Sequence, residues 1–380
     1  MTQDLGTGAA ADPPGTVTVI PLAGIPEVRT GHDLALVLRE ALDRAALTLR
    51  EADVLVVSSK VVSKVLGLRA DSSPDQASGR SEDLVREHST RVVAERETTS
   101  GTTRIVASRA GPVLAAAGVD ASNVGPTGGA LVLPGDPDLA ARHLYAGLLT
   151  AYAPTALPRI AVLISDTAGR PWREGQVDFA LGACGLDVLD DLRGMPDADG
   201  RMLSVTARAV ADEVAAAADL VKGKGSAVPA ALVRGLRGAV RSPTTAGAHA
   251  LLRPVTSDWF TLGTTESVRA ALGAPPGSAA ASAVGLASVG PEEVGVRLHR
   301  AIRLGLLGTD AWAREADVRI GDGVLGVAIE DPFRCGQVVA RLQVALHSED
   351  LAHWRVERVT RSAGGSEPTS GEHGAEDRAG

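Results

Sequence analysis

Apolar residues in this chain recur with two different periods, and the period changes from segment to segment. Val17 to Ile20 begins a strand. Between His32 and Arg50, the residues Leu34, Val37, Leu38, Ala41, Leu42 and Ala45 share one face. Arg39, Glu40, Asp43 and Arg44 fall mostly off it, which predicts an amphipathic helix. Asp53 to Val57 is a short buried strand that runs into Ser58-Ser59-Lys60. Residues 69–80 are polar and read as a loop, and Ser81 to Glu95 reads as a helix. Asp136 and Pro137 are the start signal of a helix over Asp138–Tyr152. Arg159 to Ser165 is a β-rich run that ends at Asp166. Thr206 to Lys222 is a long Ala-rich helix closed by Gly223, and Ala227 to Arg234 is another strand.

A second unit starts near His249. Trp259 to Ala271 reads as a turn and a helix, and Pro275 to Ala287 as a Pro/Gly/Ala/Ser linker. Pro291 to Leu307 is helical, Val318 to Ile329 is a hairpin and Gln337 to His347 is a helix. Strands and helices mix without strict alternation, so the predicted class is α+β, an irregular α/β arrangement. The expected organisation is a disordered tail over 1–16, a large domain over 17–248, a small C-terminal α+β unit over 249–358 and a disordered tail over 359–380.

Composition narrows the function classes. A chain of 380 residues with 44% hydrophobic residues has a large core. Aromatics are only 2%, so the core is aliphatic and few residues can stack on a flat ligand. The net charge of -8, without a basic run, argues against nucleic acid. Two cysteines, Cys184 and Cys335, form neither a CxxC pair nor a zinc spacing, which fits a reducing cytosol. The first residues lack a signal-peptide pattern and no apolar run reaches membrane length, so a cytoplasmic protein without a membrane partner is expected.

Two acidic segments carry the candidate chemistry: Gly118-Val119-Asp120-Ala121-Ser122-Asn123 and Ile164-Ser165-Asp166-Thr167-Ala168-Gly169-Arg170-Pro171-Trp172-Arg173-Glu174-Gly175-Gln176. Each sets a carboxylate among hydroxyl or amide oxygens, donors suited to magnesium or manganese. Asp166 follows an apolar strand and could point into a ligand crevice, or simply cap the next segment. Asp120 alone reads as an Asx-turn, but the pair could share divalent ions that screen phosphates. Arg170 and Arg173 suit phosphate or carboxylate. Lys60 and Lys64 reach phosphates or merely solubilise the surface. Gly321-Asp322-Gly323-Val324-Leu325-Gly326 matches a dinucleotide fingerprint, yet the strand after it makes a hairpin turn the better reading. Gly223-Lys224-Gly225-Ser226 ends a helix and is no Walker loop.

Several motifs in order resemble the coenzyme F420 precursor: γ-L-glutamyl ligase family. They are Gly24-Ile25-Pro26-Glu27, Val57-Ser58-Ser59-Lys60-Val61-Val62-Ser63-Lys64, Ala117 to Val124, Leu133 to Asp138, Asp166 to Gln176 and Ala209 to Glu213. The resemblance covers residues 17–240. It implies a non-P-loop ligase fold, an intertwined homodimer and a GTP-dependent, GDP-forming ligase with two divalent cations, Mg or Mn. Such an enzyme joins L-glutamate to a deazaflavin precursor through an acyl phosphate, then γ-links further glutamates. By the same resemblance Asp120 and Asp166 hold the first metal and Thr167 the second. Ile25, Pro26, Glu27, Val28, Ser59, Lys60, Lys64, Asn123, Gly223 and Lys224 contact GTP. Arg170 and Arg173 join the catalytic group, holding a substrate phosphate or carboxylate. Some relatives carry a flavin-binding domain after the ligase, but residues 249–358 are too few and FMN is not expected. On the residues alone, a metal-dependent phosphohydrolase or a non-catalytic deazaflavin-binding protein also stays open.

Overall fold

The computed structural model describes residues 15–70, 77–99, 101–122, 124, 128–223, 225–309 and 315–360. The expected tails fall almost wholly outside them. The chain divides into two compact units, Met1–Thr261 and Leu262–Gly380.

The first unit enters on β1 (Thr18–Pro21), α1 (Leu34–Arg44), β2 (Val54–Ser58) and α2 (Ser59–Val65). It continues through β3 (Arg69–Ala70), α3 (Ala77–Glu87), β4 (Ser89–Thr98), β5 (Gly101–Ser108), β6 (Val113–Ala115) and β7 (Ala130–Leu131). Then come α4 (Pro137–Ala151), β8 (Ala161–Arg170), β9 (Arg173–Cys184), β10 (Asp190–Asp191), β11 (Ala207–Arg208), α5 (Val210–Asp219) and β12 (Ala230–Arg234).

The frame is a five-stranded sheet in the order β1-β12-β2-β8-β9. Only β2 and β8 run parallel, with Val54 opposite Ala161 and Val57 opposite Ile164. These strands are apolar at consecutive positions because both faces are covered. Leu55, Val57, Val162 and Ile164 face a core shared with Leu38 and Leu42 of α1 and Leu144 and Leu148 of α4. Their neighbours Val54, Val56, Ala161 and Leu163 face Val214, Ala215 and Ala218 of α5. A one-residue slip would exchange these two sets. Where β12 meets this centre, the Arg234 guanidinium donates two hydrogen bonds of 2.9 and 2.8 Å to the buried Asp53 carboxylate. The mixed α+β class is as expected.

Several boundaries differ from the sequence reading. Asp33 caps α1 by accepting from the Leu36 amide, so that helix is shorter than 32–50. Asp136 caps α4, with Pro137 opening the helix as predicted. The helix expected through Glu95 stops at Glu87. From Ser89 the chain is a strand, and its antiparallel pairing with β5 decides it. β8 does not stop at Asp166 but continues to Arg170, because β9 pairs with it throughout. α5 is trimmed at its start, where Ala207 and Arg208 pair with β10, and ends at Asp219.

The second unit holds α6 (Thr264–Ala271), α7 (Ala279–Val284), α8 (Val294–Leu306), β13 (Asp317–Ile320), β14 (Val324–Ala328), α9 (Pro332–His347) and β15 (Arg355–Arg358). Pro275–Ala287 is not a linker. Ser278 caps α7, and Ala281 and Val284 are buried, Val284 within the core formed by α8, α9 and β14. The Gly321–Gly326 pattern forms the β13–β14 hairpin turn, as expected.

Candidate active site

At one end of the central sheet, α2, β8, β9 and the loops after β1, β6 and α5 enclose a cleft of about 660 Å³. Lys60 and Lys64 are one helical turn apart on α2, so both side chains reach the same side. Each is held by a carboxylate. The Lys60 ammonium lies 2.8 Å from Asp120 Oδ2, and the Lys64 ammonium donates to Glu27 Oε1 at 2.6 Å. Glu27 belongs to the loop Ile25–Val28, all four residues of which line the cleft.

Asp120 arrives through a strained turn. Ala116, Ala117 and Gly118 all have positive φ, and a Cβ on Gly118 would lie 2.3 Å from Leu133 Cδ1. Such backbone persists only where its surroundings fix it, and here it aims the next residues at the cleft. Burial raises the Asp120 carboxyl. Hydrogen bonds from the Lys60 ammonium and from Ser122 outweigh that and hold it below its usual range.

Asp166 and Thr167 sit in mid-strand on β8. Asp166 opens onto the cleft but has protein around most of its carboxylate. Its carboxylate accepts from the Ser59 hydroxyl at 2.7 Å, and the Thr167 backbone also favours its ionised form. Desolvation, helped by the nearby Asp178 and Asp120 charges and only partly opposed by Ser59, pushes its pKa up to about 6.

The structure adds residues that the sequence did not single out. Thr167 stands opposite Asp178 of β9, and its hydroxyl donates to Asp178 Oδ1 at 2.6 Å. Asp178 Oδ2 accepts from Ser165 at 2.9 Å and from the buried Lys222 ammonium at 2.5 Å. Lys222 had been placed at the end of a helix, and Asp178 lies in a mostly apolar strand. Only the β8–β9 register puts them beside Thr167.

Of the predicted site residues, Ile25, Pro26, Glu27, Val28, Lys60, Lys64, Asp120, Asp166, Thr167 and Gly223 line this cleft, and Ser59 backs it through Asp166. Arg170 and Arg173 do not. They stand exposed at the β8–β9 tip, with Arg170 bonded to the Glu174 carbonyl. Asn123 and Lys224 lie outside the described residues.

Asp120, Asp166 and the Thr167 hydroxyl line one cleft, with Asp178 beside Thr167 already paired with Lys222; no group of three or more acidic, histidine or cysteine residues able to hold a metal occurs among the described residues. A few oxygen donors, completed by substrate phosphates, are what a hard cation such as magnesium takes, so these residues fit one. Among the described residues no helix is long and apolar enough to cross a membrane.

The family model described as F420-0:Gamma-glutamyl ligase matches residues 24–235, which include every residue named in this cleft. The chain is 38% identical over 231 residues to the coenzyme F420:L-glutamate ligase of Halorubrum lacusprofundi, covering 56% of this chain and 84% of that protein. It is 37% identical over 267 residues to the protein of the same name from Methanothermobacter thermautotrophicus, covering 64% and 98%. With that of Natronomonas pharaonis it shares 37% over 226 residues, covering 56% and 83%.

Proposed function

We propose, for a chain that belongs to the F420-0:gamma-glutamyl ligase family, that the cleft joins L-glutamate to the carboxylate of a deazaflavin precursor at the expense of GTP. The observation that supports this most is the meeting of Asp120, Asp166 and Thr167 with Lys60 and Lys64 in one cleft. Acidic oxygens for a cation and ammonium groups for phosphates are both needed to handle a triphosphate.

A carboxylate is a poor acyl donor because its leaving group would be oxide. In the proposed first step an acceptor carboxylate oxygen attacks the γ-phosphorus of GTP. The bond to the bridging oxygen breaks, giving an acyl phosphate and GDP. The glutamate amine then attacks the acyl carbon and loses a proton, and inorganic phosphate leaves. Asp120, Asp166 and Thr167 would hold one or two divalent cations, which would screen the triphosphate and draw charge from the transferring group.

The chain's own residues have separate parts. Lys60 and Lys64, held by Asp120 and Glu27, exchange those carboxylates for nucleotide phosphates. Asp178 fixes the Thr167 hydroxyl, so its oxygen lone pairs stay directed at a ligand. Lys222 pairs with Asp178 at 2.5 Å in its buried position and holds that carboxylate beside Thr167. The Ile25–Val28 loop closes one wall.

The test is mass spectrometry of the acceptor after incubation with GTP, L-glutamate and manganese. A gain of one or more glutamyl units that requires all three supports the reading. Phosphate release without glutamate incorporation would replace it with a phosphohydrolase.

A further inference from the structure

The β8–β9 hairpin leads out of the cleft to a second feature that the ligase reading leaves unused. Gly169 and Gln176 face each other across the hairpin and both line the cleft. Three residues further on, about 10 Å at strand rise, the tip carries Trp172. This ring is 73% exposed and packs at 5.0 Å and 58° against Phe260, itself 54% exposed. Phe260 does not dangle. The Arg91 guanidinium lies 3.7 Å from the neighbouring Asp258 carboxylate and also bonds the Thr261 carbonyl. Trp259, next to Phe260, has the Arg253 guanidinium 5.8 Å from its ring centroid.

In a chain with 2% aromatic residues, three rings exposed at one place, with arginines beside them, are out of keeping with a solvated surface. A tilted aromatic pair with an open face suits a planar ring, and the neighbouring Arg170 and Arg173 suit a phosphate. The family resemblance implies an acceptor with its deazaflavin ring at one end of a phosphate-bearing arm and its reacting carboxylate at the other. With the carboxylate in the cleft, an arm laid along the hairpin would bring the ring to the tip.

We infer that Trp172 and Phe260 form the subsite that stacks the deazaflavin ring of the acceptor. This inference rests on the ligase reading, and it assigns that site's specificity to a surface outside the cleft.

The test combines steady-state kinetics of the full-length protein with tryptophan fluorescence. Trp172→Ala and Phe260→Ala should each raise KM for the acceptor by roughly 5- to 100-fold, the range for losing one stacking partner. The change should be confined to that constant, with KM for GTP unmoved, and Trp172→Phe should recover most of the loss. Acceptor added without GTP or glutamate should quench the fluorescence of the native protein, and Trp172→Phe should remove most of that quenching. Unchanged acceptor KM in both alanine variants, in an active ligase, overturns the subsite and leaves the ligase reading standing. So does a change of oligomeric state in Trp172→Ala without a change in that KM. If the native protein adds no glutamate the ligase reading falls, and absence of Trp172-dependent quenching then removes the stacking as well.

Discussion

Arg300 in the C-terminal unit and Asp166 in the first unit are both enclosed charges, and their surroundings are opposite. Arg300 is 3% exposed and meets two carboxylates: Glu292 at 2.5 and 2.7 Å, and Glu349 at 3.1 and 2.7 Å. Burial lowers its pKa, but the carboxylates more than reverse that. Asp166 has one hydroxyl, from Ser59, and two like charges nearby. The C-terminal cluster is neutralised from within and is structural. The cleft is short of positive charge around Asp166, where the proposed reaction takes its cation. A buried charge with its own counterion holds a fold together; one without it is a place for a ligand.

The sharpest way to break this contrast is to remove one member on each side. Arg300→Ala should cost about 3–5 kcal/mol, because it removes the buried guanidinium shared by Glu292 and Glu349 and leaves Glu349 to the longer Arg269 contact of 3.7 Å. Urea denaturation of the full chain should show the loss in the C-terminal unit. Asp166→Asn should behave in the opposite way. Ionising Asp166 in a site where its pKa is about 6 instead of 3.8 costs up to ~3 kcal/mol. The metal-free variant at pH 8 should therefore melt at the same temperature as the native protein or above it. Its ligase rate should still fall by at least ~10²–10³. A loss of stability comparable to that of Arg300→Ala would erase the distinction.

A titration sharpens it further. The folded Asp166 carboxyl titrates above its unfolded value, so its contribution to stability is complete below about pH 4. It is lost as pH rises through about 6. A divalent cation needs the ionised form, so manganese affinity should run the other way. Between pH 7 and pH 5 it should weaken by about tenfold, which calorimetric titration would read. Affinity that is flat across this range would place the cation elsewhere.

The smallest effect on folding is expected at Lys60. Its ion pair with Asp120 is partly exposed, so Lys60→Ala should change stability by less than ~1 kcal/mol. The same variant should raise KM for GTP severalfold. A large stability change with unaltered KM would make Lys60 part of the scaffold.

Much of this was legible in the sequence because the signals are local. The start of α4 is written in Asp136-Pro137. The two-sided burial of β2 and β8 is written in unbroken runs of valine, leucine and isoleucine. The sequence marks Lys60 and Lys64 as candidates for phosphate, but not the helix α2 that puts them on one face. What failed was non-local. The sequence reading makes Ser89–Glu95 helical, but Thr90, Val92 and Val93 favour a strand, and pairing with β5 decides it. Ala279–Val284 looks like linker composition, but small residues are what a tight core of α8 and α9 admits. Asp178 and Lys222 carry no motif, and pairing across β9 alone gives them a role. Arg170 and Arg173 belong to the same motif as Asp166, yet the hairpin carries them out of the cleft, so proximity in sequence overstated proximity in space.

The central claim is that this cleft couples GTP to amide formation by activating a carboxylate. It is tested most directly by labelling the acceptor carboxylate with ¹⁸O and following the label during glutamate addition with GTP and manganese. One ¹⁸O should appear in the inorganic phosphate for each glutamate joined, and Asp166→Asn should slow both together by at least ~10²–10³. Phosphate that forms without the label, or without glutamate incorporation, would contradict the account.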